Sequence, residues 1–289
     1  MVKNLNKKKL EFYIFMQEVE IADLRRITEV VRNHHNYDFG NYAMSSFKRR
    51  IQRVLELYKM DSIEPLIKRL ETDPRFFREF LSEITVNVTE MFRDPTLWVE
   101  LRKSIIPSIL ENTDSINIWH AGCSSGEEVF SMAILLEEMG VLSKARLVAT
   151  DIDHSILDKA RAATYPIKNM ELNKKNYERM GGKATLENYY TEDAGKAIID
   201  PSLLKNVQFR EHNLVLGEPF SKFDLVMCRN VMIYFNQTLQ NQVLKTFLGR
   251  LFKYAYLAIG NKESLIWCEI AHNFLVVNNE EKIYKKIKD

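Results

Sequence analysis

Cysteine is scarce in this 289-residue chain: Cys123, Cys228 and Cys268 are the only three, far apart and with no CxxC pair. That spacing excludes a disulfide-stapled fold and a cysteine-built zinc or redox centre, and the thiols are expected to be reduced and partly buried. Histidine is also rare, and His34 and His35 are adjacent, so they cannot share one helical face as ligands; no metal is expected. No apolar run approaches the roughly 20 residues that a bilayer span requires, so membrane insertion is not expected. The basic start MVKNLNKKKLEFYIF has a short apolar stretch broken by charge and no small-residue cleavage pattern. It does not read as a signal peptide, the expected compartment is the cytoplasm, and the N-x-T matches at Asn87 and Asn236 are then chance. Glycine is sparse too, and the G-x-G-x-x-G fingerprint of dinucleotide sites is missing.

What is present is an ordinary globular composition, 46% hydrophobic and 28% charged. The length suits two domains, and a helical N-terminal domain over 1–85 followed by a second domain over 86–289 is expected. The net charge of +2 is unevenly spread: through Lys59 the chain carries twelve Lys/Arg against seven Asp/Glu, leaving the remainder acidic. A basic first fifth points either to an acidic partner or to a solvated helix face. In SSFKRRIQRVLELY, Phe47, Ile51, Val54 and Tyr58 recur at helical spacing while Arg49 and Arg53 fall opposite, toward water or a partner. Ser62 and Asp73 read as helix N-caps, and Asp73-Pro74 and Asp94-Pro95 place proline at a first helical position.

From Ile116 the pattern becomes short apolar strands alternating with amphipathic helices: INIWHA, a helix over about 126–139, ARLVAT, and a helix over about 153–162. NVQFRE, FDLVMC and YAYLAIG follow, with a helix over about 238–251 between the last two. Such alternation predicts an α/β domain with a parallel sheet and right-handed crossovers. The stretch from about 166 to 206 breaks the rhythm and reads as an inserted small subdomain.

The chemistry concentrates where strands end. INIWHAGCSSGEEVFSM runs from a strand through a small-residue loop into a helix, and Gly122 and Gly126 let a ligand approach the backbone. Glu127 and Glu128 would repel a phosphate at that helix N-terminus, whereas a cationic ligand removes the conflict; the alternative is that they only stabilise the helix end. Asp151 ends the next strand, a little over 20 residues beyond the loop, where an acidic residue accepts ribose hydroxyls, and Asp153 reads as the cap of the following helix. NAD remains the second cofactor on these features. Asn213-Leu214 and Arg229-Asn230 follow later strands and should emerge at the same sheet edge. Tyr234, in VMIYF, either lines the pocket or belongs to the core.

Taken together, NVTEMFRD (87–94), GCSSGEEVFSMA (122–133), ATDID (149–153), HNL (212–214), FDLVMCRNVMIYF (223–235) and the closing FLVV and KIYKK resemble the CheR family of chemotaxis receptor glutamate methyltransferases, from about residue 20 to the end. The resemblance implies a Rossmann-like methyltransferase domain with an inserted β subdomain, behind an all-α domain. It implies S-adenosyl-L-methionine as cofactor, S-adenosyl-L-homocysteine as product, and glutamyl methyl esters on methyl-accepting receptors as the outcome. By residue it implies that Asn87, Thr89 and Arg93 close over the cofactor, that Glu128, Asp151, Asn213, Leu214, Arg229 and Asn230 bind it, and that Arg93 and Tyr234 sit beside the reacting methyl group; Gly122, on the loop reading above, is expected among the cofactor-binding residues. Arg49 and Arg53 then face the acidic methylation helices of the receptor, and the insertion can dock a receptor's C-terminal tail. Two departures stand out: Lys262, in Gly260-Asn261-Lys262-Glu263, replaces a usually smaller residue, and the insertion differs in sequence.

The absence of a Ser/His/Asp or Cys/His set agrees with this chemistry, because a glutamate with pKa about 4.3 is already an anionic nucleophile at neutral pH. A nucleic-acid methyltransferase is a rival, but the amino-methylating kind carries an Asn/Asp-Pro-Pro-aromatic loop where this chain has Cys228-Arg229-Asn230-Val231. No nucleic-acid partner is expected. A signalling module that binds the cofactor or a receptor without turnover is the other rival, and a monomer is the expected state.

Overall fold

Among the described residues, the helical spacing of the first stretch is realised as α1 (Ile21–His35), α2 (Met44–Leu57), α3 (Ile63–Thr72) and α4 (Pro74–Ile84). The computed structural model describes residues 18–85, 87–217 and 220–288. On α2, Phe47, Ile51 and Val54 are buried as the periodicity requires. Tyr58 lies just past the helix end and is half-buried. Arg49 and Arg53 are exposed, and Arg53 Nε reaches Glu83 Oε2 at 3.4 Å. Asp73 caps α4 by accepting from Arg75 N and Phe76 N, with Pro74 next in the chain. Ser62 corrects its expectation: it occupies the N-cap position of α3, but its side chain makes no capping bond.

By its internal contacts the chain divides into two units. One runs to Val86 and takes in Tyr234–Asn236; the other holds Asn87–Ile233 and Gln237–Asp289. In the first unit, Ala43 N donates to the Tyr234 carbonyl at 2.8 Å, Tyr42 bridges Phe235 in antiparallel fashion, and Asn236 N donates to the Asn41 carbonyl.

The second unit opens with helical turns α5 (Pro95–Glu100) and α6 (Ile106–Leu110), joined by a wider π turn over Leu101–Ile105. It continues β1 (Ile116–Ala121), α7 (Glu127–Glu138), β2 (Ala145–Asp151), α8 (His154–Ala162), β3 (Thr164–Pro166), α9 (Ile167–Arg179), β4 (Tyr190–Asp193), β5 (Lys196–Ile199), β6 (Val207–Glu211), β7 (Phe223–Cys228), α10 (Gln237–Arg250), β8 (Leu251–Ile259), β9 (Phe274–Asn278) and β10 (Ile283–Lys286). Seven strands form one sheet in the order β6-β2-β1-β7-β8-β10-β9. The first five run parallel, and β10 lies antiparallel to both β8 and β9. Central strands covered on both faces read as near-continuous apolar runs, which is why β1 and β7 are buried along nearly their whole length.

The insertion carries a second, three-stranded antiparallel sheet in the order β3-β5-β4. It begins at Thr164, slightly earlier than expected, and holds the 13-residue helix α9 as well as strands. All three cysteines are free and buried rather than partly buried. Among the described residues no helix is long and apolar enough to cross a membrane.

Candidate active site at the carboxyl end of the sheet

The chain leaves β1 toward β2 and β6 on one side and toward β7 and β8 on the other, so the crevice past the ends of β1, β2 and β7 is the topological switch point. The loop after β1 is built for close approach. Gly122 has φ +78°, and a Cβ there would lie 2.5 Å from the Val231 side chain, so both backbone and space demand glycine. The N–H groups of Gly122 and Cys123 donate to the Thr150 carbonyl at 2.8 and 2.9 Å. Ser124, with φ +50°, donates its N–H to Asp151 Oδ2 at 2.8 Å. Asp151 Oδ1 accepts from Asp153 N at 3.1 Å, so this buried carboxylate ties the loop to the end of β2. Burial pushes Asp151 above the ordinary aspartate range against these backbone bonds. Asp153 caps α8 as expected, accepting from Ser155 N.

The two glutamates at the start of α7 have opposite environments. Glu127 is buried and accepts from Ser125 Oγ at 2.7 Å; desolvation pushes it up to about 7, so its charge is only partial at neutral pH. Glu128 accepts from His120 Nδ1 at 2.9 Å on one oxygen and from Arg229 Nη1 at 3.2 Å on the other. Burial favours its neutral form, but the His120 bond and the Arg229 charge outweigh that and hold it below the ordinary range. Of the pair, only Glu128 is firmly anionic. Arg229 is itself buried and pairs through Nη2 with Asp94, so it acts on the site through Glu128 and Asp94.

Asp94 belongs to the segment 87–94, which is pinned from several directions. Met91 N donates to Asn173 Oδ1, Phe92 N to Ser131 Oγ, and Asn176 Nδ2 to the Met91 carbonyl. Asn87 Nδ2 reaches Asp153 Oδ2 at 3.4 Å, bringing the segment to the end of β2. Arg93 is half-exposed, its carbonyl accepts from Trp98 Nε1, and it is flanked by Phe92 and Asp94 at φ +52° and +54°. Two non-glycine residues in the left-handed region are strained and persist only where surrounding bonds enforce them. Thr89 lies in the same segment, half-buried.

Past β6, the Asn213 side chain accepts from Val215 N and Leu216 N, which turns the chain at Leu214. Past β7, Asn230 stands at φ +61°, its N–H donating to Glu263 Oε2. Glu263 also accepts from Gly260 N and Ile233 N. Lys262 is exposed, so its bulk does not disturb that turn. Tyr234 groups with the helical unit by its contacts and is half-buried there.

Sequence reasoning missed His120, Asp94, Ser131, Asn173, Asn176 and Glu263. A signal existed for three of them: His120 is a polar ring inside an apolar strand, and Asn173 and Asn176 share a face of α9. For Asp94 and Glu263 the partners are distant in sequence, and nothing local betrays them.

The family described as CheR methyltransferase, SAM binding domain, matches residues 87–283, and the CheR methyltransferase all-alpha domain matches residues 22–85. Cher3 of Pseudomonas putida is 39% identical over 264 residues, covering 91% of this chain and 96% of that one. A chemotaxis protein methyltransferase of Listeria innocua is 32% identical over 252 residues, covering 85% and 93%. One of Borreliella burgdorferi is 31% identical over 275 residues, covering 91% and 94%.

Proposed function

Because the chain belongs to the CheR methyltransferase family, and is therefore an S-adenosylmethionine-dependent methyltransferase, we propose that it esterifies glutamate side chains on the cytoplasmic helices of chemotaxis receptors. The observation that carries this reading is Glu128: a carboxylate held ionised at the crevice, where a phosphate-binding site would present only donors. A second feature agrees. Ser124 Oγ is buried with no hydrogen-bond partner among the described residues, a polar group in the glycine-bearing loop suited to a ligand.

In the proposed mechanism Glu128 receives the cofactor's ammonium end. Asp151, Asn213, Leu214 and Asn230 line the remainder of its binding site, with Asn87 and Thr89 from the preceding segment. When bound, the cofactor supplies a methyl group on a sulfonium, already a good leaving group. The chain's task is alignment, which is worth about 7–11 kcal/mol in effective molarity. Arg93 and Tyr234 orient the incoming carboxylate, which needs no general base at neutral pH. Arg49 and Arg53 on α2 face the acidic substrate helices, and the insertion offers a surface for a receptor tail. The protein works as a monomer.

Incubation with receptor-bearing membranes and tritiated S-adenosylmethionine tests the reading. Release of labelled methanol by mild base is expected, because methyl esters hydrolyse and methylated nitrogen does not. Label that survives base would overturn it.

A further inference from the structure

We propose that His120 is a positioning residue for the cofactor, acting through Glu128. The inference rests on the reading that Glu128 receives the cofactor's ammonium. His120 is the last residue but one of strand β1, and its side chain is wholly buried. Its Nδ1 lies 2.9 Å from Glu128 Oε1, whereas its Nε2 is buried with no partner among the described residues. An ionised carboxylate can only accept, so the ring nitrogen facing it, Nδ1, donates.

Glu128 is thereby held from both sides. One oxygen is taken by His120 at the end of β1 and the other by Arg229 just past β7, itself anchored by Asp94. An ionised carboxylate offers about four lone-pair sites, so each oxygen keeps one for an incoming ammonium. The side chain enters the complex with its direction already set, which removes an ordering cost from binding. A histidine present only to fill the core would behave differently. It is half-satisfied and fully desolvated, so an apolar replacement of similar size would be neutral or stabilising with nothing lost elsewhere.

Calorimetry with S-adenosylhomocysteine, which carries the ammonium, separates the two roles. His120→Leu is expected to bind about ten- to a hundredfold more weakly, the loss typical of a hydrogen bond to a charged group. His120→Asn places a donor near the Nδ1 position and should recover most of the affinity. His120→Gln, whose donor falls near Nε2, should not. In a Glu128→Gln background, which itself binds weakly, His120→Leu should add little, because groups acting through one another are not additive. Wild-type affinity in His120→Leu, or equal affinity in the Asn and Gln variants, would overturn the proposal while Glu128→Gln remains weak. Wild-type affinity in Glu128→Gln would overturn the reading of Glu128 and the proposal with it. The Asn and Gln variants keep a polar group of related size, so their comparison decides the matter even if His120→Leu does not fold.

Discussion

At the scale of single residues, the site is a study in how surroundings divide identical side chains. Glu127, raised to about 7 by burial, has a folded pKa above its unfolded value near 4.5. The native state therefore holds a proton that the unfolded chain releases between these values. Its contribution is fully present below about pH 4.5 and is lost as pH rises to about 7, by ~3 kcal/mol. Glu127→Gln should flatten that part of the stability profile, measured by urea unfolding at pH 5 and pH 8; an unchanged slope would refute the assignment. Glu263 makes a second case. Its carboxylate gathers three backbone N–H groups from Gly260, Asn230 and Ile233. Glu263→Ala would leave these donors unsatisfied at a cost of about 2–4 kcal/mol. The midpoint of denaturant unfolding should fall accordingly.

At the scale of elements, one buried acid helps to fasten the insertion to α7. Glu138, at the end of α7, accepts from Arg102, from the Tyr177 hydroxyl and from Lys183 N. Its side chain is 1% exposed, so the pair with Arg102 sits largely away from water. Gly182 completes the joint, because a Cβ there would lie 2.1 Å from the Tyr177 ring. Glu138→Ala leaves a largely buried guanidinium uncompensated and should destabilise the protein by about 3 kcal/mol. Amide hydrogen exchange should quicken over 164–199 before it does in β1 or β7; uniform acceleration would show that the joint is not local. Long apolar strands such as INIWHA and FDLVMC were legible because central parallel strands are continuous apolar runs. The strands of the insertion were not, since three or four residues are too few to display a period of two and their pairing depends on β5 lying between β3 and β4.

At the scale of the whole molecule, the basic first fifth of the chain is the surface proposed to meet an acidic partner. Arg49 and Arg53 are exposed on α2, and the 3.4 Å contact of Arg53 with Glu83 is a surface pair worth little. If α2 meets acidic receptor helices, the double replacement Arg49→Glu with Arg53→Glu should reduce receptor methylation about tenfold or more at low ionic strength. Adenosylhomocysteine affinity should stay at the wild-type value. Added salt should narrow the gap, since exposed charges are screened beyond about 8–10 Å; a loss of cofactor affinity equal to the loss of methylation would defeat the idea.

Order along the chain was within reach of the sequence: helices first, alternating strands and helices after, glycines at the turn past β1, acids at strand ends. These follow from local sterics and from periodic burial, which neighbouring residues determine among themselves. Charge state was not within reach. Glu127 and Glu128 are adjacent and chemically identical, yet one is driven toward neutrality and the other held ionised. The difference comes from Arg229, 101 residues away, and from a histidine brought round by the turn. Electrostatic energy depends on distance through space and on access to water, and only the folded chain sets either.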